Sequence, residues 1–357
     1  MKKSFLTICL VLAATFSFAS DWIYKNAQDL TVIGKLFTET PNVFHRIDTD
    51  CYGGFSPTEF SQVHMSTGIA IAFKTDSPDI VIKTKYVKVY SSKTSGPLSV
   101  RGFDFYINRG GKWIWAASSL AGKEDDANSL LRGAGKEVKE CLLYLPLFSE
   151  LEEVQIGVKP GCMLESMANP FRHRIAIFGS SFTHGTGTSR PGMNYPAQLS
   201  RMTGLQFINL GCAGHCKLQP YFAAALADAN VDAYVFDAFS NPSPETIEER
   251  LSPFIETIQA KNPGKPLIFQ KTIYRECRNF SFKKDEQERL KMEAAERMME
   301  VATKKYKDVY YITTTNASDE DHTTSVDGTH PGDYGYRLWA ESVAGPITEI
   351  LAKYGIK

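Results

Sequence analysis

The sequence predicts an α/β protein in which a doubly wound parallel sheet of about five strands is preceded by an antiparallel β-sandwich. Three observations carry this. Between about residues 43 and 160, short apolar or alternating runs are separated by Gly/Ser/Pro/Asn/Asp clusters, the grammar of antiparallel strands. From about residue 170, strand-length apolar runs alternate with helical stretches, which predicts parallel strands with helices on both faces. The 357 residues are 43% hydrophobic, enough for roughly two cores.

Residues 1–19 read as a signal peptide. Lys2-Lys3 precede an apolar run from Phe5 to Phe16 and then Ser17-Phe18-Ala19, with cleavage expected near Ala19. The run is too short to cross a bilayer, and no later segment is long and apolar enough to do so. The mature chain is therefore expected in the periplasm or outside the cell, with no transmembrane segment.

Residues 20–165 are assigned to the β-sandwich domain. Its expected strands are Ile69–Lys74, Asp79–Lys85, Gly102–Ile107, Lys112–Trp115 and Val154–Val158, with a hairpin signal at Asn108-Arg-Gly-Gly111. Trp113 and Trp115 fall on one sheet face, for interdomain packing or sugar stacking. Pro160–Pro170 reads as a linker. Residues 170–357 are assigned to the α/β domain, with strands expected at Ile175–Phe178, Phe207–Leu210, Tyr234–Asp237, Leu267–Gln270 and Val309–Ile312. Ser243-Pro244 starts one helix with a serine cap and a first-turn proline. Lys283–Lys305 forms another, its mixed charges expected on a solvated face.

Formal charge is zero, 40 basic against 40 acidic residues, and no basic block dominates a face. That gives no electrostatic case for nucleic acid. Six cysteines lie beyond the leader: Cys51, Cys141, Cys162, Cys212, Cys216 and Cys277. They allow about fifteen full pairings, among which sequence does not choose. Cys212-x-x-x-Cys216 with His215 between them matches no usual zinc spacing, so buried thiols or a local disulfide are the expected readings.

The chemistry-bearing residues cluster at strand ends, where ligands of doubly wound sheets bind. Ser181 follows the first α/β strand behind Gly179. Gly211-Cys-Ala-Gly214 follows the second strand, and Asn241 follows the third. Asp327-Gly-Thr-His330-Pro331 follows the last. Each alone is an ordinary turn; together they supply a nucleophile, a base, its orienting carboxylate and oxyanion donors. His184, one turn after Ser181, faces the site or, as the first expectation, solvent.

In these blocks the chain resembles the SGNH (GDSL-like) hydrolases. Gly102-Phe-Asp104-Phe-Tyr106 is similar to the Gly-x-Asp-Leu-Tyr signature of the β-domain in one bacterial branch of that superfamily. The resemblance implies an SGNH-type, flavodoxin-like sheet and a Ser181–His330–Asp327 triad. It also implies an oxyanion hole from the Ser181 and Gly214 amides and the Asn241 side chain. No metal or cofactor is implied. Ser180 stands where the family has Asp, a side chain that braces the turn, and Pro242 alters the bracing after Asn241. Arg190 reaches the substrate rim or fixes its loop by a salt bridge; His215 lines the acyl pocket or is a polar loop residue. Exported relatives of this architecture imply an esterase removing small acyl groups, acetyl first, from glycans or other small esters. A lipase or thioesterase, and an inert glycan-binding protein, are the rival readings. The sequence leaves the glycan and the oligomeric state open.

Overall fold

The computed structural model describes residues 21–120 and 126–357; the expected leader and its cleavage point lie outside the described residues. The N-terminal part contains β1 (Ile23–Asn26), β2 (Thr31–Ile33), β3 (Ala70–Thr75), β4 (Ile80–Val89), β5 (Gly102–Arg109), β6 (Lys112–Leu120), β7 (Asn128–Leu131), β8 (Lys139–Tyr144), β9 (Ser149–Val158) and β10 (Leu164–Ser166). One sheet runs β1-β9-β4-β7; the other runs β10-β3-β8-β5-β6, with β2 beside β3. Ile71, Phe73 and Phe105 of the second sheet share a core with Ile82, Leu151 and Ile156 of the first. Alternating residues thus meet between two antiparallel sheets, as the pattern predicted. Two short helices belong to this part, α1 (Pro57–His64) and α2 (Pro97–Arg101). The first is held by a capping box between Ser56 and Glu59.

Strands β1, β2, β7, β8 and β10 were not among those expected. β8 opens on Lys139-Glu140, which masks its apolar run; Lys139 turns its ammonium back onto the carbonyls of Gly135 and Glu137. The expected linker also carries structure, since β10 pairs antiparallel with β3.

The C-terminal part holds β11 (Arg172–Gly179), β12 (Leu205–Gly211), β13 (Ala233–Asp237), β14 (Leu267–Gln270) and β15 (Val309–Ile312). Their spatial order is β12-β11-β13-β14-β15, and every pairing is parallel. Ile175 to Phe178 is buried on both faces, hence its uninterrupted apolar run. The helices are α3 (Ser181–His184), α4 (Tyr195–Thr203), α5 (Pro220–Asp228), α6 (Pro244–Lys261), α7 (Phe282–Lys305) and α8 (Asp333–Ala352). Ala223 of α5, Leu251 of α6 and Met292 of α7 pack on one face of the sheet, and Leu199 of α4 and Trp339 of α8 on the other. The charges of α7 are not all solvated: Glu288 and Lys291 are buried. Strand order reverses at β11, so the crevice beyond its carboxyl end is the place a ligand is expected.

Candidate active site

Ser181 lies at that reversal. β11 ends at Gly179, where an added Cβ would sit 1.9 Å from the Thr183 hydroxyl and 2.9 Å from Asp237 Cβ; only glycine lets the chain turn here. Ser180 caps the single turn α3 by accepting from the Phe182 amide. It also donates its hydroxyl to Asp237 Oδ2 at 2.7 Å, and its amide reaches the same oxygen at 3.1 Å. Thr183 adds a third donor at 3.1 Å. Ser180 thus braces the turn, as expected, by gripping an aspartate at the end of β13.

The last block arrives as a closed loop. The Val326 amide donates to the His330 carbonyl at 2.8 Å, and the Ser325 hydroxyl to the same oxygen at 2.9 Å. Asp327 Oδ1 accepts from the amides of Thr329 and His330 at 2.9 and 2.7 Å. Its Oδ2 takes the imidazole Nδ1 at 2.8 Å, and His330 Nε2 stands 2.9 Å from Ser181 Oγ. With Nδ1–H donated to the carboxylate, Nε2 is left to accept the serine proton. Gly187 supports the loop from below: with φ +94°, a Cβ there would meet Pro331 O at 2.5 Å. Three residues separated by up to 149 positions therefore form one hydrogen-bonded relay, an arrangement able to activate a serine for attack on a carbonyl.

Burial acts first on Asp327 and pushes its carboxyl up. The hydrogen bonds from His330 and Thr329 outweigh that and hold it below the usual carboxylate range. The N-terminal part also reaches it, since Thr94 donates to Oδ2 at 3.3 Å. Ser95 Oγ accepts from the Gly187 amide at 3.0 Å.

The expected oxyanion donors also gather at this edge. Gly214 has φ +75° with nothing within 4 Å of an added Cβ, so its glycine serves the left-handed backbone rather than a tight space. Among the described residues, neither the Ser181 nor the Gly214 amide is taken by a protein acceptor. Asn241 is oriented through Oδ1, which accepts from the Cys216 amide at 3.2 Å, leaving its NH2 group to donate. The altered bracing after Asn241 is replaced from the segment after β14 and from α7. Arg275 and Lys291 both donate to the Ser240 carbonyl, at 2.9 and 3.0 Å, and both pair with buried Glu288.

The remaining candidates point elsewhere. Arg190 pairs with fully buried Asp104 at 3.2 Å and lies over the Trp115 ring, which is the loop-fixing reading. Asp104 also accepts from the Gly192 amide at 2.9 Å, so the β-domain signature ties the two parts together. Trp113 packs on Phe171. His215 turns toward Glu59, 3.6 Å away. His184 contradicts its expected exposure: it is wholly buried, stacked on Phe148 at 4.4 Å, and donates to the Leu147 carbonyl at 2.9 Å. Burial drives its pKa down to about 3, so it is a neutral packing residue. All six cysteines are free thiols, with Cys212 and Cys216 buried in the core.

Sequence reasoning missed Asp237, Thr94, Arg275 and Arg46. Arg46 comes from the N-terminal part, is fully buried, and donates to the carbonyls of Asn209 and Gly211 at 3.2 and 3.0 Å. A charged residue at the end of an apolar strand, as in Tyr234-Val-Phe-Asp237, is the signal that was available.

The model of the GDSL-like lipase/acylhydrolase family matches residues 172–348. That of the GxDLY N-terminal module of SGNH-type esterases matches residues 21–164. A crystal structure from Bacteroides ovatus, assigned as a GDSL-like lipase, is 38% identical over 93% of this chain and 98% of its own, with a TM-score of 0.89. The chain belongs to the GDSL-like lipase/acylhydrolase family. It is an ester hydrolase of SGNH fold. The same fold occurs in the salicylyl-acyltransferase SsfX3 of a tetracycline pathway, at 19% identity and TM-score 0.73, over 95% of this chain and 99% of that one. It occurs again in a family two carbohydrate esterase from Clostridium thermocellum, solved with cellohexaose. That chain is 12% identical, with TM-score 0.59 over 80% of this chain and 93% of its own. No curated protein matches the sequence at significance.

Proposed function

We propose that this acylhydrolase is an exported serine esterase that removes small acyl groups, acetyl first, from carbohydrates. The relay from Ser181 through His330 to Asp327 carries the reading. Ser181 Oγ attacks the ester carbonyl as His330 Nε2 takes its proton. Asp327 keeps the ring in the accepting tautomer and stabilises its charged form. The proton then passes to the leaving alcohol, and water repeats the sequence on the acyl-enzyme. The Ser181 and Gly214 amides and the Asn241 side chain hold the tetrahedral oxyanion.

The substrate class rests on the adjoining cleft. A cavity of about 450 Å³ lies between the two parts of the chain, lined by Thr58, Ser61, Tyr90, Ser92, Phe148 and Thr186 among others. Its lining is mostly apolar, from Pro57, Met65, Tyr90 and Phe148, with hydroxyls set among those faces, a mixture that suits the alternating C–H and polar surfaces of an acylated sugar. The known carbohydrate esterases of this fold agree with it.

The test is acetate release from a panel of acetylated polysaccharides, beside p-nitrophenyl esters of increasing chain length. Release from at least one glycan and preference for acetyl over octanoyl esters are expected. Preference for long chains would replace the carbohydrate reading with a lipase. Ser181→Ala is expected to lower kcat by at least about 10⁴ with little change in Tm; retained turnover would remove the nucleophile assignment. Export predicts that protein recovered outside the cytoplasm begins just after Ala19.

A further inference from the structure

His45, His64 and Glu150 form a second cluster of chemical groups, within the N-terminal part and outside the serine relay. Their donor atoms all lie within 4.8 Å of one another. His45 Nε2 is 3.0 Å from Glu150 Oε1, and His64 Nδ1 is 3.5 Å from that same oxygen. An ion bound at about 2.0–2.2 Å from nitrogen and oxygen donors in tetrahedral geometry needs those donors roughly 3.3–3.5 Å apart. The two histidine–glutamate separations are close to that spacing; the rings, stacked nearly parallel at 9° with centroids 3.9 Å apart, must tilt apart on binding so that both lone pairs converge on the ion.

Two further observations fit a ligand set better than a surface ion pair. Each side chain is only 11–14% exposed, which shields the cluster from bulk water. The far nitrogen of His64, Nε2, is held by the Thr49 hydroxyl at 2.8 Å, the outer hydrogen bond that fixes a metal-binding imidazole with its other nitrogen turned inward.

We propose that His45, His64 and Glu150 bind a single divalent ion of the zinc class. Two imidazoles and a carboxylate are borderline and hard donors, the set zinc accepts with one position left open. The ion would join the end of α1 to the start of β9. It would also fix the segment bearing Arg46, the next residue after His45, whose guanidinium grips the carbonyls of Asn209 and Gly211. From the same helix, Gln62 donates to the Ala213 carbonyl at 2.9 Å, one residue before Gly214. Metal at this position is thus a staple behind the oxyanion loop, with no direct part in ester chemistry.

The test uses the mature chain stripped with a chelator and titrated with Zn²⁺ against a chromophoric competitor, and separately with Co²⁺. One saturable equivalent, a raised Tm with Zn²⁺ and visible absorption bands with Co²⁺ are expected. Binding is expected to weaken at least 100-fold in His45→Gln and Glu150→Gln. It should weaken roughly 10- to 100-fold in Thr49→Val, which keeps all three ligands. His330→Asn should bind as the wild type does, which separates this site from the triad. Circular dichroism checks each fold; if the ligand variants do not fold, Thr49→Val and the wild-type titration decide. Absence of saturable binding to the folded wild type, or equal binding in the folded variants, overturns the proposal.

Discussion

Asp237 holds the residues on either side of Ser181 and Asp327 holds the histidine that meets it, and their surroundings push the two carboxyls in opposite directions. Asp237 lies beneath the turn, 1% exposed, and burial lifts its pKa to about 6 despite hydrogen bonds from Ser180 and Thr183. Its Oδ1 is buried without a partner among the described residues, so ionisation leaves one charged oxygen unsolvated. Asp327 sits at the rim, a third exposed, and accepts enough hydrogen bonds to be held low. Desolvation wins where water is excluded and donors are few; donors win where they are many. The rim carboxylate is thereby fit to hold an imidazole, while the buried one shapes the turn that presents the serine.

Substitutions that neutralise each partner sharpen this contrast. The largest effect is expected from Asp327→Asn, which keeps the shape but favours the wrong imidazole tautomer. A fall in kcat on the order of 10⁴ is expected, read from initial rates on an acetyl ester with Tm as control; a loss below tenfold would break the assignment. Asn241→Ala removes one oxyanion donor and should cost roughly 10²–10³ in kcat with KM little changed. Asp237→Asn tests the buried side. Because the folded state binds the Asp237 proton more tightly than the unfolded state, the contribution of this group to stability is greatest at low pH. It declines as pH rises from about 4 to about 6, by an amount on the order of a few kcal/mol. Asp327 has the opposite sign, contributing stability that is lost as pH falls through its lowered value. Urea denaturation across pH 4–7 should show the Asp237 decline in the wild type and lose it in the variant. Matching profiles would mean the buried carboxylate is not the titrating group.

The α/β half was readable because parallel strands covered on both faces must be apolar throughout; β14 and β15 fall on the expected residues. The sandwich was half readable. β8 and β9, interior strands of their sheets, mix charges into their apolar runs, and β1, β2 and β10 are three- or four-residue pairings made by distant partners. The relay residues were visible because each follows a strand and its chemistry is recognisable in place. Their support was not. Ser180 meets Asp237 across 57 positions, Thr94 meets Asp327 across 233, and α7 hides an ionic brace for Asn241 inside a stretch that reads as solvated. His184 misled for the same reason: a lone polar residue does not reveal that Phe148 and Leu147, from another part of the chain, close over it.

Arg46 has a consequence for how such proteins change over time. Its guanidinium is plugged into the carbonyl end of β12 from the sandwich side, so neither half carries a complete surface of its own. Cutting the chain near residue 165 would leave a buried cation with only the Gln62 carbonyl of its three acceptors in one fragment and a frayed strand end in the other. The two halves are expected to melt together in a single calorimetric peak and to be inherited as a pair, with exchange of sandwiches between cousins succeeding only when that arginine travels too.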